Sequence, residues 1–531
     1  MKLIIKIFIS GYLIFYCLFS YSQTWETDFV DSIWGGNANV YALYNYQDDL
    51  YIGGPFRYVD TLLVNGITKW DGINWHNYGE GITGIGGAVE CISVFYDRLY
   101  IGGGFSEVDY QPDTEHLARW FSNSWHSLAG LQSGSTVYDL KVFNDTLFVA
   151  GNSGYGVYAF NGNEWIYVGE MNTVWTRALG VFNGELYAGG YFGLKRYLGG
   201  TSWEEAHGGV DGRVNKMVTD TFNNFLYVGG AFYSVADTVV TRDVAMWDGF
   251  KWNSLGWIIN CDVYDQAMAV YRGDLYIGGC MDELENGLDV NYITRWDGEK
   301  WDSLGCGVNN AVSALEVHKD ELYVGGYFTE AGGLPAYGLA RWHMPDTGCG
   351  YIKPHVYTLA DTFYLSGGTA DVQFYNNNAY VDSWDWDFDD SGNDTIQNPL
   401  HTYTDTGTYN IVVTITHNSC VKTAEKTITI KGDLGINDQL QDAGYRLHIY
   451  PNPTNDSFIA EVETPSNSPG GGESYRINIY GLNGTVKTSY GLHPGMNRIE
   501  IRTSGWQAGK YLCCLMNGGR MIRSERLIIT R

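Results

Sequence analysis

The sequence predicts an all-β chain in which a seven-bladed β-propeller precedes two small β modules. Three observations support this prediction: a strand-like segment recurs seven times, aromatic pairs follow its copies, and the composition is typical of turn-rich β structure. Of the 531 residues, 68 are glycine, only 11 are proline and 15% are aromatic. This balance favours packed strands and tight turns over helix or disorder.

The recurring segment has the form Leu-Tyr-x-Gly-Gly-x-Phe. Its copies begin at Leu50, Leu99, Leu147, Leu186, Leu226, Leu275 and Leu322. Successive copies are 49, 48, 39, 40, 49 and 47 residues apart, and a period of this size indicates a repeat architecture. Leu-Tyr-Ile is typical of a half-buried strand, whereas two glycines leave nothing to pack. We therefore expect neighbouring backbones to approach closely where this strand ends.

Each copy is the second of four predicted strands, A to D. An apolar strand A precedes it, and paired aromatic residues mark strands C and D. The pairs are Trp70/Trp75, Trp120/Trp125, Phe160/Trp165, Tyr197/Trp203, Trp247/Trp252 and Trp296/Trp301. Asp-Gly, Asn-Gly or Gly-Gly separates most partners, and these dipeptides favour the positive φ angles of a tight turn. A unit of four short strands is typical of one propeller blade.

The seventh unit is incomplete at its C-terminal end. Trp342 supplies its strand C, but no partner tryptophan follows. Trp25 instead lies just ahead of the first strand A. We expect an N-terminal strand D to complete the last blade, because closure removes exposed sheet edges.

The pattern LYVGGxF…ARWDGxxWxxLG, over residues 24–346, resembles the kelch-like propellers of secreted bacterial proteins. We assign residues 23–346 to this domain. Propellers host many unrelated functions, so the resemblance implies architecture rather than activity. The tryptophans could stack on sugars, but we expect them to pack between blades, because aromatic side chains dominate core energetics.

Residues 352–431 change character and resemble a PKD domain, a small immunoglobulin-like sandwich. The resemblance is carried by Trp386, Asp387, Phe388, Asn398, Pro399, His401, Tyr403, Gly407 and Tyr409. The family usually has glycine at the position of Asp389, so the local turn departs from its pattern. Strand alternation places Trp384, Trp386 and Phe388 on one face, and Asp385, Asp387 and Asp389 on the other. Three adjacent carboxylates suit Ca²⁺; the alternative is an acidic solvated edge that binds nothing.

After a linker at 432–445, residues 446–531 closely resemble the type A sorting domain of the type IX secretion system of the Bacteroidetes. The matching landmarks are Tyr450, Pro451, Asn452, Pro453, Gly484, Gly509, Lys510 and Tyr511. The resemblance implies a second small immunoglobulin-like sandwich, recognition by the type IX secretion machinery and passage across the outer membrane. It also implies that the domain is removed, with release of the protein or its attachment to surface lipopolysaccharide.

Residues 1–22 have the pattern of a secretory signal peptide. Lys2 and Lys6 precede an apolar run, and we place the cleavage site before Gln23. Cys17 raises a lipoprotein alternative, but Phe15 and Tyr16 stand where a lipobox needs small residues. No later segment approaches the ~18 apolar residues of a membrane span, so we expect the mature chain to be exported without one.

The charge distribution limits the partners. The chain carries a formal net charge of -27, which argues against nucleic acid or an anionic membrane, since both reward clusters of Lys and Arg. The last 86 residues hold ten Lys/Arg and six Asp/Glu, a net of +4, so the remainder carries -31. The C-terminal tail is therefore expected to be a separate module.

No short catalytic motif is present. The sequence has no His-Glu-x-x-His, Gly-x-Ser-x-Gly, Walker loop or Cys-x-x-Cys pair, and we expect His76 and His126 to be surface or packed histidines rather than ligands. A pair of glycosidase carboxylates is defined by its separation in three dimensions, so a secreted polysaccharide-active enzyme stays open. The other hypothesis is a surface binding or adhesion protein that recognises a glycan or matrix polymer. Calcium is the one cofactor that the sequence suggests.

Loop lengths predict where a ligand would bind. In a four-stranded meander the B–C and D–A loops emerge on one face. From the last residue of each seven-residue copy to the strand-C aromatic residue that follows, the steps are 14, 15, 7, 5, 15, 15 and 14 residues. The third and fourth blades therefore leave this face open. We expect the floor of the opening to hold Tyr155, Tyr191 and Lys195, and its acidic rim to hold Glu107, Asp109, Asp113, Asp282, Glu283 and Glu285. The alternative is that the short loops are simple deletions and the face is inert.

The cysteines suggest two disulfide bonds in an oxidising compartment. Cys349 precedes the PKD-like domain and Cys420 lies at its last hairpin, so a bond between them could restrain the approach from the propeller. On the loop face, Cys280 could pair with Cys261 or Cys306. We expect Cys91, Cys513 and Cys514, which lie in strand patterns, to be inert.

Overall fold

The structure is a computed structural model with side chains. It describes residues 24–84, 87–128, 136–152, 156–170, 175–256, 267–284, 287–344, 352–358, 360–365, 368–376, 378, 381–418, 420–432, 446–450, 457–463, 475–481, 486–492, 498–503, 506, 509–517 and 520–529. It also gives the backbone of strands Ile5–Ile9 and Tyr12–Tyr16, which pair antiparallel. Within these ranges strands are the only regular elements longer than a turn. These ranges contain no helix that is long and apolar enough to span a membrane. The all-β prediction is confirmed.

The chain divides into two compact units, residues 1–353 and 354–531. In the described part of unit 1, seven antiparallel four-stranded sheets follow one another along the chain, and we number them sheets 1 to 7. Each is a meander of strands A to D, and no sheet closes into a barrel by itself. The four-strand unit that the sequence predicts is therefore present.

Each strand type occurs once in every sheet, and its spans run in order from sheet 1 to sheet 7. Strand A spans Ala42–Tyr46, Val89–Phe95, Val137–Phe143, Thr176–Phe182, Arg213–Asp220, Ala267–Tyr271 and Val312–His318. Strand B spans Asp49–Gly53, Arg98–Gly103, Thr146–Gly151, Glu185–Gly190, Phe225–Ala231, Asp274–Gly278 and Glu321–Gly326. Strand C spans Ile67–Trp70, Leu117–Phe121, Gly156–Phe160, Gly193–Gly199, Val244–Trp247, Ile293–Trp296 and Leu339–His343. Strand D spans Trp75–Asn77, Ser124–Ser127, Trp165–Glu170, Ser202–Glu205, Trp252–Ser254, Trp301–Ser303 and Thr24–Glu26.

Sheet 7 takes its strand D from the N-terminal end of unit 1, as the sequence predicts. Thr24–Glu26 pairs antiparallel with strand C, and Trp25 lies opposite Trp342. Their ring centroids are 5.1 Å apart, and both side chains are buried. Glu26 also forms an ion pair with Arg341 of strand C. The two ends of the repeat region are therefore joined in one sheet.

The strands A of neighbouring sheets are in contact all the way along the series. Strand A of each sheet contacts strand A of the next, and strand A of sheet 7 contacts that of sheet 1. The contacts thus form a closed cycle. Between successive sheets lie apolar clusters, such as the one that joins Leu43 and Ile52 of sheet 1 to Ala314 and Tyr323 of sheet 7.

The glycine pair at the end of strand B provides this close approach. A Cβ atom added to the first glycine would lie 2.3–2.6 Å from a valine methyl carbon of the following sheet. The pairs are Gly53 with Val89, Gly102 with Val137, Gly189 with Val214, Gly278 with Val312 and Gly325 with Val40. A Cβ on the second glycine would lie 1.9–2.3 Å from a backbone oxygen at the start of strand A in its own sheet, as at Gly54, Gly103, Gly151, Gly190, Gly230 and Gly326. At these glycines there is therefore no room for a side chain, whereas sheet 3 has Ala150 at the first position.

The strand-D tryptophans connect neighbouring sheets by hydrogen bonds. In five sheets the indole Nε1 donates, over 2.6–3.0 Å, to a backbone oxygen within or just after strand D of the preceding sheet. The pairs are Trp25 to Leu304, Trp125 to Tyr78, Trp203 to Val168, Trp252 to His207 and Trp301 to Leu255. Trp75 and Trp165 hold the same position, but their buried Nε1 atoms have no hydrogen-bond partner among the described atoms. The indoles thus pack between sheets, as expected.

Some strands A carry charged side chains. Glu316, in strand A of sheet 7, borders a cavity of about 170 Å³ with Val218, Met268 and Leu315. Burial raises its pKa to about 7, although the charges of Lys216 and Lys141 oppose this shift. Since those lysines belong to strands A of sheets 5 and 3, charges from three sheets act on one another around this position.

The described residues of unit 2 form two pairs of sheets. In the first pair, a five-stranded sheet has the order Thr362–Tyr364, Cys420–Lys431, Gly407–His417, Ser383–Asp387 and Asn393–Asp394. A two-stranded sheet pairs Ala370–Gln373 with Leu400–Tyr403. The predicted alternation is confirmed, because Trp386 and Phe388 are buried whereas Asp385, Asp387 and Asp389 are exposed.

The second pair of sheets lies in the last 86 residues. A three-stranded sheet contains Arg446–Tyr450, Ser457–Glu463 and Arg498–Arg502. A four-stranded sheet contains Val486–Leu492, Tyr475–Gly481, Gly509–Asn517 and Arg520–Ile529. One apolar core is shared by both sheets and includes Phe458, Ile477, Ile501 and Leu527.

We predict that the N-terminal strand stabilises unit 1. Trp25→Ala should lower the melting temperature by about 5–10 °C, because it removes a buried indole and its hydrogen bond. Deletion of residues 23–38 should have a larger effect. Trp34→Ala is the matched control, since Trp34 is 47% exposed and stacks only at the surface on Tyr58. Melting curves that do not distinguish Trp25→Ala from Trp34→Ala would contradict the role of this strand.

The three consecutive glycines of sheet 2 allow a test of the close approach. Gly102→Ala and Gly103→Ala should each lower the free energy of unfolding by about 1–3 kcal/mol, because the new methyl group overlaps packed atoms. Gly104→Ala should change it by less than about 1 kcal/mol, because the nearest atoms to its Cβ would be 3.5 Å away. Denaturant titration of the three variants measures the difference, and equal effects would rule out a steric cause.

Glu316 should make stability depend on pH. Its folded-state pKa of about 7 exceeds the ordinary value of 4.5, so the folded chain binds the proton more tightly and loses stability as pH rises between these values. Glu316→Gln should therefore stabilise unit 1 by about 1–3 kcal/mol more at pH 8 than at pH 4.5. Denaturation at both pH values checks this, with the exposed Glu115→Gln as control. A Glu316→Gln effect that does not change with pH would contradict the assignment.

Candidate functional site

The B–C loops and the D–A connections lie together on one face of unit 1, as expected from the meander. In sheet 1, Ile33–Gly36 pairs with Phe56–Val59 of the B–C loop. In sheets 2, 5 and 7 the corresponding contacts are single bridges: Ile82 to Val108, Val210 to Val235 and Val308 to Ala331. We call this side of unit 1 the loop face.

Polar side chains fix these loops against one another. Asp60 Oδ1 accepts hydrogen bonds from the backbone N–H groups of Asp31 and Ser32. In sheet 7, Asn309 Oδ1 accepts those of Thr329 and Glu330. Because each oxygen satisfies two donors, the long loops are held in place by local hydrogen bonds.

Sheets 3 and 4 lack these long loops. In sheet 4 only two residues separate strand B from strand C, and exposed or half-buried aromatic and arginine side chains lie beside this short loop. We call Tyr138, Trp175, Arg177, Tyr191 and Arg213 the aromatic–arginine cluster. Trp175 is 38% exposed and Tyr191 is 41% exposed, so both rings present a surface to solvent.

The members of the cluster come from three neighbouring sheets and contact one another in sequence. The Tyr138 and Trp175 ring centroids are 6.1 Å apart, and those of Trp175 and Tyr191 are 5.8 Å apart and nearly perpendicular. The Arg177 guanidinium lies 4.4 Å from the Tyr138 ring centroid, and that of Arg213 lies 5.2 Å from the Tyr191 centroid. These are cation–π distances, so the two charges are held beside the aromatic surface.

Backbone packing fixes the centre of the cluster. The Trp175 backbone oxygen accepts a hydrogen bond from Tyr191 N over 3.3 Å, and a Cβ on Gly190 would lie only 2.2 Å from it. Arg213 Nη1 donates to Tyr191 Oη over 3.3 Å. Burial raises the pKa of Tyr138, and the Arg177 charge opposes that shift. The repeat glycine thus sets the spacing of Trp175 and Tyr191.

The structure places part of the predicted floor at this cluster. Tyr191 is a member. Lys195 lies in strand C of the same sheet, with its Nζ 5.5 Å from the Phe192 ring centroid. Tyr155 lies outside the described residues, so its position stays a prediction.

The predicted acidic rim is spread over the loops of sheets 2 and 6. Asp109 Oδ1 accepts a hydrogen bond from Glu80 N, and Glu107 accepts one from Thr83, so both help to hold the D–A connection. Asp113, Asp282 and Glu283 are exposed. Glu285 lies outside the described residues. No described contact joins the rim residues to the aromatic–arginine cluster.

Two of the three aspartates proposed for calcium, Asp387 and Asp389, accept hydrogen bonds from backbone N–H groups. Asp387 Oδ1 accepts from Asp389 N, and Asp389 Oδ2 accepts from Asn410 N. In the part of the chain that the structure describes, no group of three His, Cys, Asp or Glu side chains could hold a metal ion. His76 pairs with Asp71 over 2.7 Å, and His126 contacts Ser124.

The cysteines fall into two groups. The described free thiols Cys91, Cys513 and Cys514 are all buried, and burial raises the pKa of each, that of Cys514 to about 12. They are thus poorly suited to react, as expected. Cys280, Cys306 and Cys420 are not among the free thiols, and each has an interaction partner. Cys261 and Cys349 lie outside the described residues, so the proposed pairings stay predictions.

Few of the sorting-motif residues can be located. Tyr450 ends the strand Arg446–Tyr450 and donates a hydrogen bond to Glu461. Tyr511 is buried against Trp506. Gly509 and Lys510 begin the strand Gly509–Asn517. Pro451, Asn452, Pro453 and Gly484 lie outside the described residues.

Four members of the cluster were missed by reasoning from the sequence. Trp175 lies outside the repeated C–D pairs, and this departure from the repeat pattern was the available signal. Tyr138, Arg177 and Arg213 occupy the first or second positions of strands A, where the repeat fixes the backbone but not the side chain. Only the packing of three sheets shows that they converge.

Apart from the loop face, a concave region lies at the A–B turns. A cavity of about 430 Å³ is lined by residues of sheets 5, 6 and 7, including Asp220, Phe222, Tyr271, Arg272 and Asp320. Arg272 and Asp320 form an ion pair there, and Asp220 is capped by Asn223. These polar groups satisfy one another, so the cavity offers less to a ligand than the exposed rings of the loop face.

Comparisons with known proteins identify the modules of unit 2. Residues 361–432 match the PKD domain family, and residues 448–530 match the secretion system C-terminal sorting domain. No curated protein matches the chain.

Similarity to solved structures is weak. The extracellular domain of a hybrid two-component system protein from B. thetaiotaomicron is 11% identical, with 93% of this chain and 86% of that chain covered and a TM-score of 0.28. A Thermus thermophilus protein described as an oxidoreductase (glucose dehydrogenase) is 12% identical, with 60% and 99% covered and a TM-score of 0.29. Such scores define neither fold nor function. The family matches do show that the chain contains a PKD domain and a type IX C-terminal sorting domain, which directs it to secretion and the cell surface.

Proposed function

We propose that unit 1 is a seven-bladed, kelch-like β-propeller in which each four-stranded sheet is one blade. Three observations support this architecture: seven successive meanders, a closed cycle of strand-A contacts, and an N-terminal strand that completes the seventh sheet. The loop face then becomes one end of the propeller, and the aromatic–arginine cluster lies where its long loops are interrupted.

We propose that the protein is an extracellular binding or adhesion protein whose propeller recognises a glycan or matrix polymer. The PKD domain serves as a spacer, and the sorting domain as the export signal. The signal peptide of residues 1–22, the Cys349–Cys420 bond, and attachment to lipopolysaccharide belong to the same proposal.

The aromatic–arginine cluster carries this proposal. Soluble proteins rarely leave contiguous aromatic surface in water without a use for it, and Tyr and Trp suit binding because they offer an apolar face beside a polar edge. A sugar ring has the same two characters: an apolar C–H face and polar hydroxyl edges. The opening between the long loops gives a chain-like ligand access to both exposed rings.

We predict that the exposed rings carry binding. The mature chain should retard or bind at least one polymer in a panel of neutral, uronate-bearing and sulfated polysaccharides. Trp175→Ala and Tyr191→Ala should each lower that affinity about 10-fold, whereas Tyr96→Ala should not. Tyr96 is a matched control because it is 57% exposed and lies in an A–B turn, away from the loop face. Unchanged binding in both cluster variants would contradict the proposed site.

A loop graft tests the opening itself. Replacing residues 191–192 of sheet 4 with residues 232–243, the long B–C segment of sheet 5, should abolish binding, because it removes Tyr191 and covers the rest of the cluster. An unchanged melting temperature would show that the graft folds. A grafted chain that folds and keeps its affinity would show that the gap is not the site.

A further inference from the structure

The charges of the aromatic–arginine cluster differ in sign from those of the chain as a whole. The chain has a net charge of -27, yet two arginines lie beside the exposed rings of this one site. Arg177 belongs to strand A of sheet 4 and Arg213 to strand A of sheet 5. An acidic surface repels a polyanion. Electrostatic attraction of a polyanion to the cluster must therefore come from Arg177 and Arg213.

The geometry of each guanidinium suits an acidic ligand. A guanidinium placed over an aromatic ring contacts it through its flat face, which leaves N–H donors directed outward in its own plane. Those donors match the two oxygens of a carboxylate or sulfate group. Arg213 is held at this position, because its Nη1 donates to Tyr191 Oη.

The three rings of the cluster contact one another in a row, and each of the two outer rings has a cation beside it. Trp175 contacts both Tyr138 and Tyr191, and each of those tyrosines has its own arginine. A ligand that lay along the three rings would thus meet a positive charge at either end. Such a ligand needs apolar faces with acidic groups spaced along it, which describes a polymer of acidic sugars.

We propose that the loop-face site selects anionic glycans, with sugar rings on Trp175 and Tyr191 and acidic groups on Arg177 and Arg213. This inference rests on the proposed function and adds the class of ligand. Glu90, whose charge acts on Tyr138 together with that of Arg177, is the acidic neighbour that opposes such a ligand. The site thus contains one group whose removal should improve binding.

The first experiment compares polymers that differ only in charge. Affinity electrophoresis of the mature chain would use polygalacturonate against its methyl ester, and dextran sulfate against dextran. We expect at least one acidic polymer to bind about 10-fold or more tightly than its neutral partner, and the two pairs distinguish carboxylate from sulfate recognition. Equal affinity within both pairs, or no binding to either acidic polymer, would overturn the inference.

The second experiment uses variants of the cluster. Arg177→Gln and Arg213→Gln should each remove most of the preference for the acidic polymer over its neutral partner, and Glu90→Gln should strengthen acidic binding. Arg213→Lys keeps the charge and should retain part of the preference if a glutamine variant fails to fold. If Trp175→Ala weakens binding but the arginine variants bind both polymers as the wild type does, the inference fails while the proposed function stands. If the wild type binds nothing in the earlier panel, the proposed function fails too.

Discussion

The close contact between the end of strand B in one sheet and the start of strand A in the next is the constraint on which unit 1 depends. In five sheets the first glycine of the pair admits a valine of the following sheet at a distance that no Cβ could occupy, as at Gly102 and Val137. The second glycine admits a backbone oxygen of its own sheet. Because each sheet is small, its stability comes largely from this shared packing.

At strand D, a different interaction holds neighbouring sheets together. An indole of strand D donates to the preceding sheet, and Trp25 makes this bond across the closure, to Leu304. The closing strand therefore repeats an interaction found between sheets that are adjacent in the chain. The same glycine spacing positions the functional site, since Gly190 sets the distance between Trp175 and Tyr191. Fold and candidate site thus depend on one feature.

Much of this arrangement could be predicted from the sequence because it recurs. Seven copies of one segment reveal the strands and the turns, and the missing partner of Trp342 points to Trp25. The convergence of Arg177, Arg213 and Tyr138 could not be predicted, because it depends on how three sheets pack rather than on any repeat. The raised pKa of Glu316 could not be predicted either, because it arises from burial among strands that are distant in sequence.

Hydrogen exchange at two equivalent amides tests the closed cycle most directly. Val312 N donates to the Gly279 backbone oxygen over 3.0 Å between sheets 6 and 7, and Val40 N donates to that of Gly326 over 3.3 Å between sheets 7 and 1. The first bond joins sheets that are consecutive in the chain, whereas the second exists only if the two ends of the repeat region meet. Residue-resolved exchange of the mature chain should give protection factors for Val40 and Val312 that agree within about tenfold. Free exchange at Val40 beside strong protection at Val312 would contradict closure.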